Sequence, residues 1–205
     1  MSNKEFAKNY LLETQNIINS LSIREINKAI DLLLLVRKKR GRIFVMGVGG
    51  SASNASHFVN DLRKIGNFEA YSPTDNVSEL TARTNDEGWE TIFISWLKVS
   101  KLRINDVLIV LSVGGGDKKN NVSTNIIKAL EYAKRKNIKS ISITGRKTGY
   151  AFKNSTCPIL ISTNNPQRLT PHAEELQSVI WHLIVSHPNI SINKTKWESI
   201  KNRGK

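Results

Sequence analysis

The chain has 205 residues, 39% apolar and 23% charged, which suits one large globular domain with a full core and excludes a disordered or fibrous polymer. Its net charge is +14, but the basic residues are scattered (37–40, 134–139, 194–205) with no aromatics interleaved in a stacking pattern, which points away from nucleic acid and towards a small anionic ligand drawn in by the field. The longest apolar run, Ala29 to Val36, is interrupted by Asp31, the N-terminus has no signal-peptide core, and Cys157 is the single cysteine; a cytoplasmic chain with no membrane span and no intrachain disulfide is expected.

Residues 5–40 are expected to form two helices. Phe6, Tyr10, Leu11, Ile17, Ile18 and Leu21 recur at helical spacing, and Ile26, Ala29, Ile30, Leu33 and Leu34 do so after Ser22. Their apolar face needs cover, from the domain or from a partner subunit. Arg42 to Met46 is a short apolar strand ending in Gly47-Val48-Gly49-Gly50-Ser51, with a helix through about Lys64. Glu69 to Tyr71 is a second strand. Helical stretches Ser78 to Thr84 and Trp89 to Leu97 are separated by Asn85-Asp86-Glu87-Gly88. Asp106 to Ser112 is the clearest strand and leads into Gly114-Gly115-Gly116-Asp117. A helix over Asn121 to Lys136, strands over Lys139 to Thr144 and Pro158 to Ser162, and a final helix from Thr170-Pro171 to Ser186 complete the domain. Short apolar strands alternating with helices predict an α/β fold, a doubly wound parallel sheet with helices on both faces. Residues 1–40 are thus an N-terminal helical segment, 41–187 the domain, and 188–205 a basic, weakly held tail.

In such a sheet ligands bind at the carboxyl ends of the strands, and both Gly-rich turns fall there. The first opens a helix, so Gly49, Gly50 and Ser51 offer a cradle for an anion. It is neither a dinucleotide fingerprint, since Asn54 replaces the last glycine, nor a nucleotide-binding P-loop. No nucleotide cofactor is expected. By itself the turn is also compatible with a bare strand–helix connection. The second turn offers Ser112, Gly114, Gly115, Lys118, Lys119 and Ser123 as another anion cradle, or a flexible loop. His57 and Asp61 share a helix face and suit a divalent metal or acid–base work, as well as a plain solvated face. His182 lies among apolar residues late on the last helix, two turns after Glu174 and Glu175.

Taken in order, these pieces resemble the sugar isomerase (SIS) domain, and within it the sedoheptulose 7-phosphate (phosphoheptose) isomerases. The resemblance rests on Gly47 to Ala52 with Ala55-Ser56-His57-Phe58, on Leu80 to Gly88, on Ser112 with Ser123-Thr124-Asn125-Ile126-Ile127, and on the helix carrying His182. It implies a SIS-type, flavodoxin-like fold and a homo-oligomer, usually a tetramer, with sites at subunit interfaces. It implies a sugar phosphate held by Gly49, Gly50, Ser51, Asn85, Asp86, Ser112, Gly114, Gly115 and Ser123. It further implies one divalent metal per subunit, commonly zinc, at His57, Asp61, Glu174 and His182, with Asp61 and His182 as acid and base in an aldose–ketose isomerisation. Three positions depart from the family: Asp61 replaces a Glu, Glu174 replaces a Gln, and a serine-rich turn has become Ser112-Val113-Gly114-Gly115-Gly116. An isomerase of another ketose phosphate, and a non-catalytic sensor or partner-binding member, stay open beside the phosphoheptose reading.

Overall fold

A computed structural model describes residues 2–200. Its strands are β1 (Ile43–Met46), β2 (Ala70–Tyr71), β3 (Val107–Ser112), β4 (Lys139–Thr144) and β5 (Cys157–Leu160). Its helices are α1 (Asn3–Asn19), α2 (Ile23–Lys38), α3 (Gly50–Lys64), α4 (Val77–Glu87), α5 (Ile92–Val99), α6 (Thr124–Arg135), α7 (Tyr150–Asn154), α8 (Leu169–Ser186) and α9 (Lys196–Ser199). All strands pair in parallel in the order β2-β1-β3-β4-β5, so the expected doubly wound sheet is present. Successive strand residues point to opposite faces. Ile43, Val45, Val107, Ile109 and Leu111 join the core under α2, α3 and α8. Phe44, Met46, Leu108 and Val110 join the core under α5, α6 and α7.

The amino edge of the sheet is fastened by Asp106, whose buried carboxylate accepts from the Arg42 guanidinium at 2.8 Å and from the amides of Arg42 and Arg103. That charge is fully satisfied, as burial demands. Asp106 therefore precedes β3 instead of starting it. Between the sheet's edges, β1 and β3 diverge to opposite helical layers, which opens a crevice at their carboxyl ends.

Several boundaries differ from expectation for identifiable reasons. Asn85, Asp86 and Glu87 are not a connector but the last turn of α4. Asn76 caps that helix by accepting the Glu79 amide, Arg83 pairs with both Glu79 and Glu87, and Gly88 at φ 87° ends it. Residues 117–122 stay out of α6 because Asp117 and Val122 exchange backbone hydrogen bonds, making a small hairpin. Thr170 does not cap α8; a 3-10 turn over Pro166–Arg168, capped by Asn165, runs directly into Leu169. The segment after Pro188 is held as far as Asn193: Ile190 is buried, Arg37 donates to the carbonyls of Asn189 and Ile190, and the Ile192 and Asn193 amides donate to Ile65. Residues 201–205 lie outside the described residues.

α1 buries only Ile17 on the domain and leaves Phe6, Leu11, Leu12 and Ile18 exposed. Polar contacts fasten it instead. Tyr10 Oη donates to Glu175 at 2.7 Å, and Thr14 Oγ1 donates to the same carboxylate. The fully buried His172 places its ring nitrogens 2.7 Å from Glu175 and 3.0 Å from Glu13, which also pairs with Arg168. Removing Glu175 leaves Tyr10 Oη and His172 Nδ1 without a partner, so Glu175→Ala is expected to lower stability by about 1–3 kcal/mol in chemical denaturation. Desolvation, followed by the hydrogen bond to Glu175, pushes the Tyr10 phenol up to about 12, against about 10 for a free tyrosine. The folded state holds that proton more tightly, so the contribution is complete below the unfolded value and disappears as pH rises from about 10 to about 12. Tyr10→Phe should flatten the stability profile in that window alone; an unchanged slope there would exclude this group as the cause.

Candidate active site

α3 and α8 lie side by side on one face of the sheet, and their contact creates the metal-ligating cluster. Trp181, fully buried, stacks on Phe58 with ring centroids 5.6 Å apart and meets the edge of His57 at 4.6 Å. This packing turns the adjacent His182 outward. His57, Asp61 and His182 thereby present donor atoms that all lie within 4.8 Å of one another. Asp61 Oδ2 is 3.9 Å from each imidazole Nε2, and its other oxygen accepts from Asn60 at 2.8 Å. Asp61 is buried, whereas both histidines are about half exposed.

Two imidazoles and a carboxylate are a donor set for a divalent metal such as zinc. The surroundings of His182 fit that role: its Nδ1 lies 2.8 Å from the Ser178 carbonyl, which fixes the proton on Nδ1 and leaves the Nε2 lone pair facing Asp61. Ser178 Oγ also lies 3.3 Å from Nδ1, so the tautomer is assigned from the shorter contact to the carbonyl. Ser178 was not foreseen from the sequence, although its spacing of four before His182 is the signal that would have revealed it.

Glu174 does not join this cluster. It precedes His182 by eight residues, about 12 Å along a helix axis, and its carboxylate lies instead against Gly50, where any Cβ would overlap it. Asn54 secures that placement by donating to the Glu174 carbonyl at 2.8 Å. The consequence for the first Gly-rich turn is direct. Gly49 takes φ 64° to start α3, but Gly50 faces a carboxylate and Ser51 is buried with its hydroxyl unpartnered. The expected anion cradle at Gly49, Gly50 and Ser51 is therefore closed on that side by Glu174.

The open concavity is at the second turn. A cavity of about 730 Å³ at the carboxyl ends of β3 and β4 is lined by Val48, Ser112, Gly114, Gly116, Ser123 and Thr170, with the 117–122 hairpin and the Arg146 to Lys153 segment as walls. Gly115 and Gly116 adopt φ 73° and 85°, a left-handed geometry that side chains resist. Ser112 Oγ accepts the Gly115 amide at 3.0 Å, while Gly114 stands in open space. Ser123 leads into α6, whose N-terminal amides favour an anion. Of the two lysines expected here, Lys118 is bound to Glu131, a contact that holds its ammonium above the usual lysine range, and it lies over the Tyr150 ring.

Asn85 and Asp86 are absent from this lining. They sit exposed at the end of α4, a helix with no buried residue, and hydrogen-bond to each other. Cys157 is buried, which pushes its thiol up to about 11 and removes it as a nucleophile.

Comparison with known proteins sets this site in a family. The SIS domain family matches residues 8–145, and the chain belongs to it. Its relatives there are phosphoheptose isomerases. That of Helicobacter pylori (strain P12) is 30% identical over 184 residues, 86% of this chain and 90% of that protein. That of Aneurinibacillus thermoaerophilus is 30% identical over 184 residues, 87% of each chain. Phosphoheptose isomerase GmhA from Neisseria gonorrhoeae superposes with a TM-score of 0.76 at 25% identity, covering 89% of this chain and 97% of that one.

His57→Ala and His182→Ala are each expected to remove stoichiometric binding of a divalent metal in calorimetric titration, with the circular dichroism spectrum preserved. Metal binding equal to the unaltered protein would rule out this donor set.

Proposed function

We propose that this protein is an aldose–ketose isomerase that converts D-sedoheptulose 7-phosphate to D-glycero-D-manno-heptose 7-phosphate in the cytoplasm, feeding heptose nucleotide and surface polysaccharide synthesis. The observation that carries the proposal is the convergence of His57, Asp61 and His182, from helices far apart in sequence, in a chain whose relatives are phosphoheptose isomerases.

The reaction moves one proton between neighbouring carbons. A base takes a proton from C1 of the ketose while the C2 carbonyl oxygen gains one, giving an enediol. Loss of the O1 proton and return of a proton to C2 then yield the aldose. Asp61 and His182 are the two proton-transfer groups. With Nδ1 held by Ser178, the His182 Nε2 is the nitrogen free to accept or return a proton. His57, Asp61 and His182 would hold a zinc ion, which supplies positive charge to polarise the carbonyl and offset the charge that develops on oxygen. The Nε2 lone pair that would bind the ion is the one that would accept a proton, so the metal and acid–base roles compete at His182.

The second-turn cavity takes the phosphate, through Ser112, Gly114 and Ser123. Thr170, on the cavity wall, and His182 are twelve residues apart on α8, about 18 Å along its axis. One sugar phosphate does not span that distance, so the cavity of one subunit works with the proton-transfer groups of another in a homo-oligomer, taken to be a tetramer. The exposed Val179 and Leu183 beside His182, the bare apolar face of α1 and the uncovered α4 with Asn85 and Asp86 support this arrangement. A neighbouring copy would bring Asn85 and Asp86 to the substrate.

Purified protein supplied with zinc should convert sedoheptulose 7-phosphate to an aldose phosphate detectable by NMR. Absence of turnover with every divalent metal would sink the proposal. His182→Ala should lower kcat by about 10²–10⁴, the range for a lost proton-transfer group; full activity would exclude it from the chemistry. In mass measurement by light scattering the protein should run as a multimer, and a monomer that turns over at every dilution would refute the shared site.

A further inference from the structure

Resting on the sugar-phosphate reading of the second-turn cavity, we propose that this protein grips its ligand's phosphate by charge, through Lys119, Arg146 and Lys153, and that Lys118 has no part in the grip. In a chain of net charge +14 an unpaired lysine is ordinary. What distinguishes these three is that they converge on one concavity, and among the described residues none has a carboxylate within 4.0 Å. Lys118 lines the same cavity but is neutralised by Glu131. It fastens the hairpin to α6, while the adjacent Lys119 lines the cavity without an ion-pair partner among the described residues.

The single carboxylate on the lining is Asp117, and it is already engaged. It accepts the Asn120 side chain at 2.7 Å and the amides of Lys119 and Asn120, contacts that hold it below the usual carboxylate range and keep it ionised. Three unmatched cations against this one anion leave a surplus of two positive charges in the cavity. A phosphomonoester carries about −1.5 to −2 at neutral pH. The surplus therefore matches one phosphate; a neutral sugar leaves it uncompensated and a carboxylate meets half of it.

Hydroxyls cannot replace the cations here. Ser112, Ser123, Thr148 and Thr170 line the cavity with hydroxyls that can donate to a phosphate, but they are neutral and balance none of its charge. The nested amides around Gly114 and the α6 N-terminus orient the phosphate, but they supply only partial charge. Arg146 is suited to hold two phosphate oxygens at once through its planar fork. Because the walls of the cleft concentrate the field, this grip is sensitive to salt, and it weakens once a phosphate loses its second charge below about pH 6.

The test uses the whole protein and two probes that cannot be isomerised, inorganic phosphate and glucitol 6-phosphate, with binding followed by calorimetry. Lys119→Met and Arg146→Met should each weaken both probes tenfold or more, and Arg146→Lys should recover part of the loss. Lys118→Met should leave affinity unchanged while lowering the thermal midpoint. In turnover, Arg146→Met should raise KM for the sugar phosphate with kcat within about twofold, the pattern of uniform binding. Wild-type affinity in Lys119→Met and Arg146→Met, or an equal loss in Lys118→Met, would overturn the proposal. Because the probes bind without reacting, a protein that binds them in this pattern yet turns over no ketose phosphate refutes the isomerase reading and leaves the charge grip standing.

Discussion

The contact of Trp181 with α3 is the constraint on which the site depends. A fully buried indole stacked on Phe58 and edged by His57 fixes how α8 is rotated about its axis. Rotation by one residue would carry His182 about 100° around the helix and away from Asp61. The same rotation sets Glu174 against Gly50, eight residues earlier, since a helix is rigid over that length. Hydrophobic packing thus determines the geometry of the chemistry, and the polar residues occupy the positions it leaves.

α8 consequently works as a ruler. Thr170, Glu174, Ser178 and His182 follow one another at intervals of four, each beside the next in a row that winds slowly round the helix. The first touches the cavity, the second closes the α3 N-terminus, the third orients the fourth, and the fourth meets Asp61. The spacing separates the cavity from the His57–Asp61–His182 cluster within one chain. It also accounts for the Gly at position 50: α3 and α8 approach so closely there that a side chain would collide with Glu174.

The two substituted acids fit this layout differently. Asp61 has a shorter side chain than Glu, yet both imidazoles lie 3.9 Å from its carboxylate, because Trp181 draws α8 close to α3. Glu174 brings a full negative charge to the positive end of the α3 dipole, a favourable placement. The other helix N-terminus, at α6, has no such carboxylate against it among the described residues and opens on the cavity lined by Lys119, Arg146 and Lys153.

The sequence alone determined the parts governed by local and periodic physics. Apolar runs of strand length bounded by Gly-rich turns specified the parallel α/β sheet, since such strands are stable only when covered on both faces. The four-residue spacing of His57 and Asp61 placed them on one helix face, and the resemblance to the SIS domain added His182 to them. Which residues meet across helices was decided by tertiary packing. Nothing in the spacing of Glu174 revealed that it would lie on Gly50, that Ser51 would be buried, or that Lys118 and Lys119, adjacent in the chain, would divide into an anchored cation and an unpaired one. Those outcomes depend on side chains from segments more than ten residues distant, brought together only when α3, α6, α7 and α8 close over the sheet. Local pattern therefore fixes the elements, and the buried contacts between them select which polar groups are left to act.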